Sequence, residues 1–114
     1  MAKTIIGFRE YVTILGEGKA RKVIARIDTG ASKCSIDGKL AKSLGLGPVI
    51  REKKIKSAHG TSTRGIILAR IVIGGRTFKV FFTLADREHM KYSVLIGRNI
   101  LKRGFVVDSG KRLR

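Results

Sequence analysis

The sequence has no Trp and no Gln, one Asn (Asn99) and one Cys (Cys34). A lone cysteine cannot form a disulfide within the chain, so the fold has no covalent staple, and such usage fits a reducing compartment. Few thermolabile amides beside many Lys and Arg fit a thermophile. Long hydrophobic runs are also missing: charges interrupt every apolar stretch well before the roughly 18 residues of a membrane span. At the start, Ile5-Ile6-Gly7-Phe8 is cut short by Arg9 and Glu10, which argues against a secretory leader. The expected address is cytoplasmic, with no membrane contact. Acids are scarce too, eight against 25 Lys and Arg, for a net charge of +17. That excess runs along the whole chain. It suits polyanions such as RNA, a ribosome surface or an acidic peptide, and equally a solvated basic surface; no aromatic-rich RNA motif accompanies it.

What is present reads as one domain over residues 1–114, with 43% apolar residues to build a core. Segments 4–14, 21–27, 66–73, 77–84, 94–96 and 105–108 are rich in β-branched and aromatic residues and read as strands. Gly16-Glu17-Gly18 and Gly74-Gly75 supply hairpin turns. Helix is expected only over 37–44, with Asp37 as N-cap and Gly45 as stop, and over a single turn at 99–103. The loop 45–48 and the charged run 51–56 look like surface. Many short strands and 14 glycines predict an all-β architecture, a small closed barrel or sandwich.

Two short motifs bear on chemistry. In "RIDTGAS" (26–32), Asp28 follows an apolar strand and precedes Thr29 and Gly30. The glycine permits a sharp turn that would hold the carboxylate at its tip, and Thr29 has a hydroxyl that could lock it. An acidic residue opening an ordinary turn would look the same. About 70 residues on comes "VLIGRNIL" (94–101), an apolar stretch, a glycine and a short amphipathic turn. Asp-Thr-Gly followed at this distance by a hydrophobic-hydrophobic-Gly segment resembles the retropepsin-like aspartic peptidases. "IIGFREYVTI", "ARIDTGAS", "IKSAHGTSTRGIIL", "FTLADREHMKYSVLIGRNIL" and "FVVD" are similar to the retropepsin-like endopeptidases of bacteria and archaea, long labelled ATP-dependent zinc proteases. After DTGA the commoner bacterial form has a Thr/Ser-rich segment ending in Leu-His, where this chain has Ser32-Lys33-Cys34-Ser35-Ile36-Asp37.

The resemblance implies a single-lobe acid-protease barrel with one or two short helices. It implies that Asp28, Thr29 and Gly30 form the catalytic loop, supported by Leu95, Ile96, Gly97 and Arg98, with Arg98 bracing the loop by an ion pair. An aspartic peptidase needs two carboxylates sharing a proton, because two charges so close cannot both ionise. One DTG per chain therefore calls for a homodimer with paired Asp28 residues. Asp108 in "VVDSG" is the rival second acid, although the family pattern makes it structural. Ala31 lacks the hydroxyl with which a Ser would bond the carboxylate, so activity nearer neutral pH is expected. Ala31, Ser32, Ser57, His59 and Gly60 are candidate substrate contacts, the last three in a covering flap within 49–65. Glu10, between Arg9 and Tyr11, is either a surface ion pair or part of the function.

The family label finds little in the residues. There is no HExxH, only His59 and His89, and no GxxxxGKS or GxGxxG, so neither a metal nor a nucleotide cofactor is expected. Related proteins are discussed alongside ligases that add glutamates to a ribosomal protein, and a basic surface would suit such acidic tails. The competing reading is a non-catalytic basic module that binds RNA or the ribosome on the same fold.

Overall fold

A computed structural model describes residues 2–113; the Ser57 side chain lies outside the described residues. Segment 4–14 is not one strand but two, β1 (Thr4–Ile6) and β2 (Arg9–Leu15). The break at Gly7 has a local cause. Glu10 Oε1 accepts the Gly7 N–H at 2.8 Å and the Lys111 ammonium at 2.7 Å, so the last part of the chain is strapped across the first. A Cβ at Gly7 would stand 2.7 Å from the Lys111 carbonyl oxygen. The periodic apolar pattern alone shows no such crossing.

Strand β3 (Ala20–Ile27) returns antiparallel to β2, through a turn in which Gly18 has φ +68°. Val12, Ile14, Ala25 and Ile27 point inward, the period of two that a half-buried strand requires. Beyond the Asp28 loop comes β4 (Cys34–Asp37), a strand the sequence reading did not anticipate. It leads into α1 (Gly38–Ser43), where the Asp37 carboxylate accepts Leu40 N–H at 3.3 Å and Arg87 N–H at 2.9 Å. Asp37 is buried, and these two bonds satisfy it.

The charged run is at the surface, as expected, but it is regular: it forms strand β5 (Arg51–Ser57), paired along its length with the start of β6 (Gly60–Ile73). Its exposed lysines hid it: a hairpin projecting from the barrel needs no buried face. The inner part of β6 meets β7 (Arg76–Ala85) through Gly74-Gly75, with φ of +58° and +73°, as a two-residue hairpin turn demands. β8 (Val94–Ile96), α2 (Arg98–Leu101) and β9 (Phe105–Val107) complete the chain.

Six strands run in the order β2-β3-β8-β4-β7-β6, and β6 pairs back onto β2, with Ile14 opposite Ile71, to close a barrel. β5 extends it outward, and β1 and β9 form a separate parallel pair. The interior is filled by Ile14, Ile36, Ile71, Phe82, Val94 and Ile96, none more than 1% exposed. The architecture is the all-β closed barrel with two short helices that the sequence predicts. Among the described residues no helix is long and apolar enough to cross a membrane.

Candidate active site

β3 ends at Ile27, and the next residue leaves the barrel wall. Asp28 N–H still bonds Ile96 C=O at 2.9 Å, which holds the start of the loop against β8. The chain then turns on the Asp28 side chain itself: Gly30 N–H donates to Oδ1 at 2.9 Å, and Ala31 N–H to the Asp28 carbonyl at 3.2 Å. Asp28 is half-buried while Thr29 and Gly30 are exposed. The result is a tight turn with a carboxylate at its edge.

The segment after β8 clasps this turn. Arg98 N–H donates to the Ala31 carbonyl at 2.8 Å, and the Arg98 guanidinium donates to the Thr29 carbonyl at 3.0 Å. The brace is therefore a charge-assisted hydrogen bond to backbone; among the described residues no ion pair forms at Arg98, in contrast to the expectation. Gly97 lies so close beneath the loop that a Cβ there would fall 2.5 Å from the Lys33 carbonyl oxygen. Leu95 and Ile96 supply the strand that pairs with Arg26 and Ile27.

Two residues in this clasp were not singled out for it from sequence. Asn99 Oδ1 accepts from the Cys34 N–H at 3.0 Å, and its Nδ2 donates to the Phe81 carbonyl at 3.0 Å, tying α2 to β4 and β7. Its one signal was being the sole Asn in the chain. Cys34 Sγ lies 3.1 Å from the same Oδ1 and receives the Gly97 N–H at 3.4 Å. Burial pushes the Cys34 thiol up to about 12, against the lesser opposing effects of the Gly97 hydrogen bond and Lys33. Only the thiolate alkylates. Native protein should thus leave Cys34 unmodified by iodoacetamide at pH 8, with full labelling once urea unfolds it; rapid labelling of folded protein would contradict this packing. Because the folded thiol holds its proton longer than the ordinary value of 9.0 allows, its contribution is intact below pH 9 and is lost as pH rises toward 12.

The remaining candidates fall apart in space. Ala31 is half-buried and Ser32 exposed, both in the loop. His59 and Gly60 sit at the tip of the β5–β6 hairpin, next to Ser57, whose side chain is among those not described. The cleft that holds Asp28, about 400 Å³, is lined by Phe8, Arg9, Arg26, Ile27, Thr29 and Tyr92 and includes none of the hairpin tip. A larger hollow of about 620 Å³ lies elsewhere, between α1, the hairpin and the 86–88 loop, and does not contain Asp28. Its rim carries an exposed Lys39–Glu88 ion pair at 2.8 Å. Volume alone is a poor guide here, because Asp28 lines the smaller cleft.

Asp108 makes a turn of the same form as Asp28. Gly110 N–H donates to its Oδ1 at 2.9 Å and Lys111 N–H to its carbonyl at 3.1 Å. It is exposed, follows β9 instead of a barrel strand, and lies outside the Asp28 cleft. Zinc does not fit either: among the described residues no three His, Cys, Asp or Glu side chains gather as ligands would.

Solved structures share this architecture. A Legionella pneumophila protein of unknown function superposes with a TM-score of 0.69 at 18% identity, over 96% of each chain. The simian foamy virus protease superposes with a TM-score of 0.62 at 17% identity, over 82% of this chain and 91% of that one. The fold is retropepsin-like. The family described as RimB-like, retropepsin-like aspartic endopeptidase RimB, matches residues 39–113, well over half of the sequence. The chain belongs to that family; the match begins after the Asp28 loop. Among curated proteins it is 28% identical to probable alpha-L-glutamate ligases of Shewanella pealeana and Shewanella halifaxensis. In each case 93% of this chain is covered, and it spans 28% of the length of the relative.

Proposed function

We propose that the protein is an aspartic endopeptidase whose catalytic centre forms when two copies meet on a two-fold axis, each contributing Asp28. The observation that carries this is a count. Asp28 is the one acid lining its cleft among the described residues, and the mechanism needs two. In the paired state the two carboxylates share a proton. One takes a proton from a water molecule as its oxygen attacks the peptide carbonyl carbon, and the other gives a proton to the carbonyl oxygen. Collapse of the tetrahedral intermediate breaks the C–N bond. The carboxyl that took the water proton gives it to the leaving nitrogen, and the other carboxylate takes a hydroxyl proton from the intermediate, so the pair again shares one proton. Thr29 and Gly30 shape the turn, and Arg98 keeps it in place.

Exposed apolar groups support the association. Ile5 is 57% exposed and Val106 45%, side by side on β1 and β9, and Phe8 is 55% exposed at the cleft itself. A single folded chain gains nothing from showing them to water. Specific activity on a peptide should therefore rise with protein concentration until the dimer saturates, in step with the dimer fraction measured by sedimentation. Full activity at concentrations where the protein sediments as a monomer would remove the proposal.

The substrate we favour is an acidic, glutamate-rich peptide. A segment similar to this chain is found within relatives named for ligating glutamate, and the net charge of +17 favours such polymers. A second reading, a basic module for RNA or the ribosome, draws on charge remote from the cleft, such as Arg70 opposite Lys79 on β6 and β7. RNA binding with a steep salt dependence, from a protein that cleaves no peptide, would favour it.

A further inference from the structure

Like charges set directly opposite one another across two strands destabilise a sheet. Among the described residues the sheet holds three such pairs, Arg9 with Arg26, Lys53 with Arg64, and Arg70 with Lys79. One of them is in the Asp28 cleft. Arg9 on β2 and Arg26 on β3 are register partners, so their side chains leave the same face, and both line the cleft with Asp28, Phe8 and Tyr92. Among the described residues neither guanidinium meets a carboxylate in an ion pair. Glu10, next to Arg9, is turned away to Gly7 and Lys111. A third cation stands nearby: Arg87, fixed by its Nε to the Tyr92 carbonyl at 2.9 Å, is pushed down from its ordinary value first by burial and next by the charge of Arg26.

Spacing gives this cluster a role. Arg26 and Asp28 are two residues apart, so their backbones lie within roughly 7 Å of each other, and both line one cleft. An extended peptide held with its scissile bond at Asp28 would place a flanking side chain at the arginine pair. From this we infer that Arg9 and Arg26 form a specificity subsite for a carboxylate side chain next to the scissile bond, with Phe8 and Tyr92 as its apolar walls. The inference rests on the peptidase reading and adds to it the residues that choose the substrate. Arginine suits this task because its planar fork can take a carboxylate in two parallel hydrogen bonds.

The test uses two fluorescein-labelled peptides, hexaglutamate and hexaglutamine. Their binding to full-length protein carrying Asp28→Asn is read by fluorescence anisotropy at fixed ionic strength, and their cleavage by wild type is read by mass spectrometry. Hexaglutamate should bind at least about tenfold more tightly than hexaglutamine, as expected for charge-assisted bonds. Adding Arg9→Gln and Arg26→Gln should abolish that preference, whereas Arg70→Gln with Lys79→Gln, which removes equal charge outside the cleft, should leave it nearly intact. Equal weakening by the two double variants would overturn the inference, since net charge alone would then explain binding. So would a double Arg9/Arg26 variant that alters dimerisation but not peptide preference. Selective binding without any cleavage by wild type would instead sink the peptidase reading and leave the arginine subsite standing.

Discussion

Asp28→Asn is expected to lower peptide cleavage by at least about a thousandfold while moving the melting temperature only slightly. The amide keeps an oxygen where Oδ1 accepts the Gly30 N–H at 2.9 Å, so the turn survives. What disappears is the ability to hold and pass a proton. The variant also distinguishes a shared centre from two independent ones. When wild type and Asp28→Asn are mixed in equal amounts and allowed to exchange partners, a shared pair leaves about one quarter of the activity, because only wild-type dimers work. Independent protomers would leave half. A linear dependence on the wild-type fraction would therefore end the proposal of a dyad, whatever the single variant does.

Gly97→Ala should severely damage the scaffold beneath the Asp28 loop. Gly97 has φ −105°, ordinary extended backbone, so conformation is not the reason for glycine here. Space is. A Cβ would stand 2.5 Å from the Lys33 oxygen, 2.6 Å from the Lys33 carbonyl carbon and 2.9 Å from the Ala31 oxygen. All three are backbone atoms, and none can swing aside as a side-chain tip would. Such overpacking costs about 3 kcal/mol or more, which for a chain of this size lowers the melting temperature by at least about 10 °C. The loop carrying Asp28 would move with it, so cleavage should be lost even at temperatures where the variant is folded. Gly75→Ala makes the comparison: it has φ +73° but no neighbour within 4 Å of its Cβ position. Its cost is conformational only, about 1–2 kcal/mol. Similar losses at the two sites would show that the loop does not rest on Gly97 as closely as described.

Much of the barrel was legible because its strands alternate or run apolar. Ile67, Ala69, Ile71 and Ile73 are buried while Arg70 is exposed, the pattern of a strand with one wet face. The helix at Asp37 was legible from its cap chemistry. β5 was not, since a projecting hairpin buries too little to leave a periodic trace, and β4 is only four residues long. The break at Gly7 depends on Lys111, 101 residues beyond the Glu10 that holds both, and no local rule reports such a partner. At the candidate site, the meeting of the 28–32 loop with Gly97 and Arg98 was anticipated only through the family resemblance that the two motifs carry. The Asn99 tether could not, because an amide bridging three elements has no sequence period. Arg9 and Arg26 became interesting only through register: seventeen residues apart in the chain, they are ordinary surface arginines until β2 and β3 set them face to face.

The molecule also carries an internal control. Asp28 and Asp108 sit in turns of matching bond pattern, yet one is walled by aromatic and cationic groups and the other stands open to bulk water. A carboxylate held at the edge of a tight turn thus needs little more than a short local sequence with a glycine. What is rare is the neighbourhood, so comparing these twin turns within one protein separates the contribution of the local peptide geometry from that of everything built around it.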